Sequence, residues 1–155
     1  MNHADQATFF RAALLLGLIR GERVVAWADA VISNDTAASA AFIDISTCPP
    51  DDLTELRQRL LLIGPEKETD TLVRALAGLV HRDLASGRRT IGDTMTVLKQ
   101  LRAFVGVSAA LNDQLKTLGV DVAMSQPDTR ERAEAYDRVR AWLARHHADA
   151  VPFLE

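Results

Sequence analysis

Apolar residues return at three- and four-residue intervals along most of the chain, and this period limits the fold more than any other feature. Phe9, Phe10, Ala13, Leu14, Leu16 and Leu18 open the series; Ala135, Tyr136, Val139, Trp142 and Leu143 close it. Such spacing gathers side chains on one side of a helix, whereas a half-buried strand needs alternation at every second position. Aromatic residues are only 5% of the chain, so a core must come from Ala, Leu and Val, which suit packed helices better than a sheet sandwich. The expectation is an all-α protein, a compact irregular helical bundle of about seven to eight helices. Its 155 residues suit a single helical domain over 1–155, long enough to bury a core without disulfides or metal.

Glycine, proline and capping residues divide the pattern. A first helix, capped by Asp5, is expected to run to about Ile19, with apolar residues around most of its circumference. Gly21 separates it from a helix opening at Glu22 and ending at Asn34-Asp35, with Val24, Trp27, Ala28, Val31 and Ile32 in register. Thr36 is expected to cap a third helix, Ala37 to Ser46, before the Pro49-Pro50 connector, which cannot be helix interior. Further helices are expected from Asp51 to Ile63 and from Glu66 to Ser86. Thr90-Ile91-Gly92-Asp93 reads as a capping box for a helix with Ile91, Met95, Leu98, Leu101 and Val105 on its apolar face. Ser108 caps a shorter helix expected to stop at Gly119, and a last helix should run from Pro127 or Asp128 to about His147. On that helix, Asp128 with Arg132 and Glu134 with Arg138 have the favourable acid-before-base spacing. Turn signals recur at no fixed period, so no internal repeat is expected.

Charge and motifs exclude several classes. A net charge of −3 speaks against nucleic acid as partner, because phosphate neutralisation needs a basic surface. Arg outnumbers Lys 15 to 3, a bias that, with abundant Ala, reads as bacterial composition rather than as an arginine surface. The run Ala12 to Ile19 is too short to span a bilayer, so no membrane association is expected, and one cysteine, Cys48, gives no disulfide. A cytoplasmic location is the default expectation. Glu-x-x-His, His-x-x-x-His and Cys-x-x-Cys are absent, as are Walker and dinucleotide glycine motifs, so no metal, no cofactor and no catalytic residue is assigned. His146 and His147 point about a quarter-turn apart on a helix and make a poor chelate. His81, in mid-helix, gives the predicted bundle a resemblance to histidine phosphotransfer domains, which carry a lysine and then a glycine after the histidine where this chain has Leu84 and Ala85.

Two sets of candidate site residues remain. Arg88, Arg89 and Thr90 place guanidinium groups beside a helix N-terminus, the geometry of an anion site. Trp27, Tyr136, Arg140 and Trp142 are residue types that anchor protein interfaces, with core packing the competing role for both tryptophans. The leading functional expectation is therefore a protein-interaction or regulatory module, an adaptor or an acidic inhibitor of a partner protein, with enzymatic activity left open. The alternative is a small-ligand-binding or enzymatic bundle with an interhelical pocket. A homo-oligomer through the apolar N-terminal helices is a third reading.

Overall fold

A computed structural model describes residues 2–34, 39–65, 69–104 and 106–154. Among them are nine α-helices, one 3₁₀ turn and no strand, as the apolar period requires. They form two compact units, Met1–Lys67 and Glu68–Glu155.

The first unit contains α1 (His3–Leu15), α2 (Gly21–Asn34), α3 (Ala40–Ser46) and α4 (Leu53–Leu60). Helix α1 starts earlier than expected because Asn2, not Asp5, is the cap: its Oδ1 accepts from the Asp5 N–H at 2.8 Å. Ala7, Phe9 and Ala13 are wholly enclosed. Leu56 and Leu60 of α4 are equally enclosed, and α1 and α4 pack together. Helix α2 turns Val24, Trp27, Ala28 and Val31 inward and packs against α3, which contributes Phe42 and Ile45. Gly21 lets the proline connector pass, since a Cβ there would lie 1.8 Å from the Pro50 carbonyl oxygen. The expected cap Thr36 and first residue Ala37 of the third helix lie outside the described residues, as do Asp35, Glu66 and Val105.

The second unit contains α5 (Asp70–Ala85), α6 (Ile91–Leu101), α7 (Ala109–Met124), α8 (Arg130–Arg145), a 3₁₀ turn (His147–Ala150) and α9 (Val151–Leu154). Helix α5 is buried at nearly every position from Leu72 to Val80. Its closest approach is at Gly78, where a Cβ would lie 2.5 Å from the His146 carbonyl oxygen and 3.3 Å from the Ala150 Cβ. Asp70 ties the start of α5 to the cap of α7, accepting from the Ser108 N–H at 2.7 Å and the Ser108 hydroxyl at 2.6 Å.

Three expectations about the second unit need correction. Helix α7 does not stop at Gly119 but continues to Met124, because Leu115, Leu118 and Val122 keep one apolar stripe across the glycine. Helix α8 begins at Arg130, capped by Thr129, whose hydroxyl accepts from the Arg132 N–H at 3.2 Å, since Asp128 has left-handed backbone, φ 59°. With Asp128 outside the helix, Arg132 Nε donates instead to the Ser125 hydroxyl at 2.7 Å. Glu134 pairs with Arg130 at 2.7 Å, leaving Arg138 to reach Asp121 on α7 at 3.0 Å.

A helix–glycine turn–helix element occurs twice, contrary to the expectation of no repeat. Gly17 and Gly87 both adopt positive φ, 63° and 72°, at the ends of α1 and α5. At Gly17 the turn is a Schellman motif, with Leu18 N–H donating to the Ala13 carbonyl and Gly17 N–H to that of Leu14. The offset between these glycines also separates Val24, Trp27, Ala28 and Val31 from Thr94, Val97, Leu98 and Leu101, the inward residues of α2 and α6. The repeat is one of burial and turn geometry; few identities accompany it.

Gly78→Ala is expected to lose about 1–3 kcal/mol of unfolding free energy by overpacking. Gly92→Ala, whose new methyl meets only the Thr90 hydroxyl oxygen at 3.7 Å, should lose none, and urea titration of the two variants measures the contrast. The Ser108 hydroxyl, then its backbone N–H, holds the Asp70 carboxyl below the usual carboxylate range. A depressed folded value gives stability that is present above the unfolded Asp value, about 3.9, and lost as pH falls through the folded one. Asp70→Asn should therefore be less stable than the parent at neutral pH, with the difference closing under acid in parallel urea titrations.

Candidate functional site

In the loop between α5 and α6, Arg88 faces a carboxylate of the same chain. Asp83, only 7% exposed, puts Oδ1 2.9 Å from Arg88 Nη2 and 3.7 Å from Arg82 Nε. Arg88 Nε also donates to the Ser86 hydroxyl at 3.1 Å, and the Arg89 N–H donates to the Asp83 carbonyl at 3.1 Å. Thr90 caps α6 as expected: its hydroxyl accepts from the Asp93 N–H, and Asp93 Oδ2 accepts from the Thr90 N–H at 3.3 Å and hydroxyl at 2.7 Å. The Thr90 hydroxyl, then its backbone N–H, holds the Asp93 carboxyl below its ordinary range. Asp93 thus accepts from the N-cap residue of α6, and Arg88 faces the side chain of Asp83.

The aromatic candidates divide differently. Trp27 is 9% exposed and lies among Phe10, at 5.1 Å between ring centroids, and Phe42, at 5.3 Å. Its Nε1–H donates to Gln6 Oε1 at 3.2 Å. Trp142 is 2% exposed and donates its Nε1–H to Gln114 Oε1 at 3.1 Å. Both indoles are core groups with satisfied donors, the arrangement that burial of tryptophan requires. Neither offers the exposed face of an interface anchor. Tyr136 is half-buried under Arg132, whose guanidinium carbon lies 5.8 Å from the ring centroid. Arg140 is exposed and pairs with Asp137 at 2.9 Å.

Histidines meet at the end of α8. His81 and His147 pack edge to face with centroids 5.4 Å apart, and His146 Nδ1 lies 2.8 Å from Asp149 Oδ2. Among the described residues no three His, Cys, Asp or Glu side chains converge to hold a metal ion. Cys48 is buried at 3% exposure, and burial, more than its neighbours Asp52 and Glu55, pushes its thiol up and away from a reactive thiolate.

The cavity that sequence reasoning missed is a groove between α6 and α7. Met95, Leu98, Lys99 and Arg102 form one side; Leu115, Gly119, Val120, Val122 and Ala123 form the other. Its volume is about 380 Å³, within the range of small-molecule sites. Leu98, Leu115 and Val122 are buried at its floor, and Lys99, in the last turn of α6, and Arg102, its C-cap, are exposed at its edge. A Cβ on Gly119 would meet nothing within 4 Å. One sequence signal was available: Gly119 interrupts an apolar stripe that continues beyond it, which distinguishes a helical glycine from a terminator. A second groove, about 460 Å³ between α7 and α8, is crossed by the Asp121–Arg138 pair and the Gln114–Trp142 bond.

No helix among the described residues is long and apolar enough to cross a membrane. The chain matches no family model, no curated protein and no solved structure.

Thr90→Ala removes the cap of α6 and is expected to cost about 1 kcal/mol. Thermal unfolding checks this, and an unchanged midpoint would mean the capping box contributes nothing.

Proposed function

We propose that this chain works by binding rather than by catalysis, and that its recognition site is the α6–α7 groove. The observation carrying this reading is Gly119. A glycine inside a helix costs about 1 kcal/mol relative to alanine, and a close contact usually explains it. Here there is none, because the missing side chain would project into empty space. The open volume is what that glycine provides, over a floor of Leu98, Leu115 and Val122. The small-ligand reading therefore gains support over an interface anchored by Trp27 and Trp142, both of which are buried.

A second reading lays a segment of a partner protein along the same groove. Exposure of Val120 at 45% and Met124 at 79%, on the same helix as Gly119, favours it, since such side chains extend the apolar surface beyond the groove.

Gly119→Leu separates binding from folding. The Cβ of a leucine there meets no neighbour within 4 Å, the rest of the side chain extends into the groove, and its helix propensity should raise stability by about 0.5–1 kcal/mol. Titration with 8-anilinonaphthalene-1-sulfonate should give a blue-shifted, saturable signal with the parent chain and at least tenfold weaker binding with the variant. Equal signals from the two chains would remove the groove from the function.

A further inference from the structure

Resting on the groove reading above, we infer that the natural occupant is a single-chain amphiphile with a carboxylate head, a medium-chain fatty acid. Three features of the groove carry the assignment. The first is its floor of Leu98, Leu115 and Val122, which offers an alkyl chain contact without polar groups to desolvate. The second is its length. Met95 and Arg102 are separated by about 10 Å along α6, from the helical rise, which is the reach of a medium alkyl chain rather than a long one.

The third is charge. Lys99 and Arg102 are exposed at one edge of the groove, and neither pairs with a carboxylate among the described residues. Some arginines elsewhere do: Arg59 lies 2.7 Å from Glu55, Arg88 2.9 Å from Asp83, and Arg138 3.0 Å from Asp121, while Arg20, Arg57 and Arg145, like Arg102, have no such pair among the described residues. No Asp or Glu lines the groove. Two cations without a described carboxylate partner, at the C-terminal end of α6, lie beside an apolar cleft on a chain of net charge −3. Arg102 supplies the planar fork that matches a carboxylate, and Lys99, one turn away, adds a second positive charge. The alkyl chain would then lie over Leu98 toward Gly119, where the absent side chain leaves room.

The test uses the full chain and three probes of equal length, decanoate, decanol and decyltrimethylammonium, titrated by calorimetry and by displacement of the anilinonaphthalene dye. The expected result is one decanoate bound per chain, at least tenfold more tightly than decanol, with the cationic probe weakest. The double variant Lys99→Gln, Arg102→Gln should bring decanoate to the affinity of decanol while leaving the helical circular dichroism unchanged, because both side chains are exposed. Gly119→Leu should exclude decanoate and decanol alike. If decanoate and decanol bind equally and both are lost in Gly119→Leu, the carboxylate assignment fails and the groove reading stands. Failure of the groove reading looks different: dye and decanoate bind Gly119→Leu as well as they bind the parent. If none of the three probes displaces the dye and Gly119→Leu still abolishes the dye signal, the occupant is not a fatty acid, and a partner segment becomes the reading of the groove.

Discussion

A helix that is apolar on nearly every side cannot rest on a surface, and this constraint organises both units. In α1, Phe9 and Phe10 are enclosed together with Ala7 and Ala13; in α5, burial is nearly continuous from Leu72 to Val80. Each demands cover from several directions, and the amphipathic helices of its own unit provide it. Full burial of a large aliphatic or aromatic side chain contributes about 1.5–3 kcal/mol, so these two helices gather much of the driving force in few residues. Close approach then depends on small residues. Gly78 admits the carbonyl after α8 onto α5, as Gly21 admits the proline connector onto α2.

Polar groups buried by this arrangement find partners far away in sequence. Gln6 accepts from Trp27 and Gln114 from Trp142, so each unit pins an indole with a glutamine amide. A buried donor left without a partner costs about 1–3 kcal/mol, which explains why both tryptophans sit where a glutamine can reach them. In the loop of Arg88 and Thr90, Asp83 pairs with Arg88 at the end of α5 and Asp93 accepts from the cap of α6. Lys99 and Arg102, beside the α6–α7 groove, pair with no described carboxylate.

Locally encoded features were legible in the sequence: the helical class, the capping box at Thr90, the cap at Ser108, and the turn that ends α5; the first helix, expected to reach Ile19 and break at Gly21, instead ends at Leu15 with its turn at Gly17, and Gly21 opens α2. Boundaries slipped where two local signals competed. Asp5 and Asn2 both suit a cap, and Asn2 takes it. Gly119 suits a helix end, yet the stripe through Val122 carries the helix past it. The repeated element escaped notice because its two copies share burial and turn geometry while their residues differ, as Trp27 and Val97 do.

By itself the sequence determined the helices, because a helix is stabilised by hydrogen bonds and caps within a few residues, all written in consecutive positions. It also determined which helices must be covered, since apolar residues around the whole circumference leave no face for water. Only the tertiary structure decided which helix covers which, that Trp27 and Trp142 turn inward, and that α6 and α7 leave a groove at Gly119. Those outcomes depend on close contacts between residues distant in the chain. A packed interior or an unfilled cleft is a property of the shapes that meet there, and no single segment contains both halves of it.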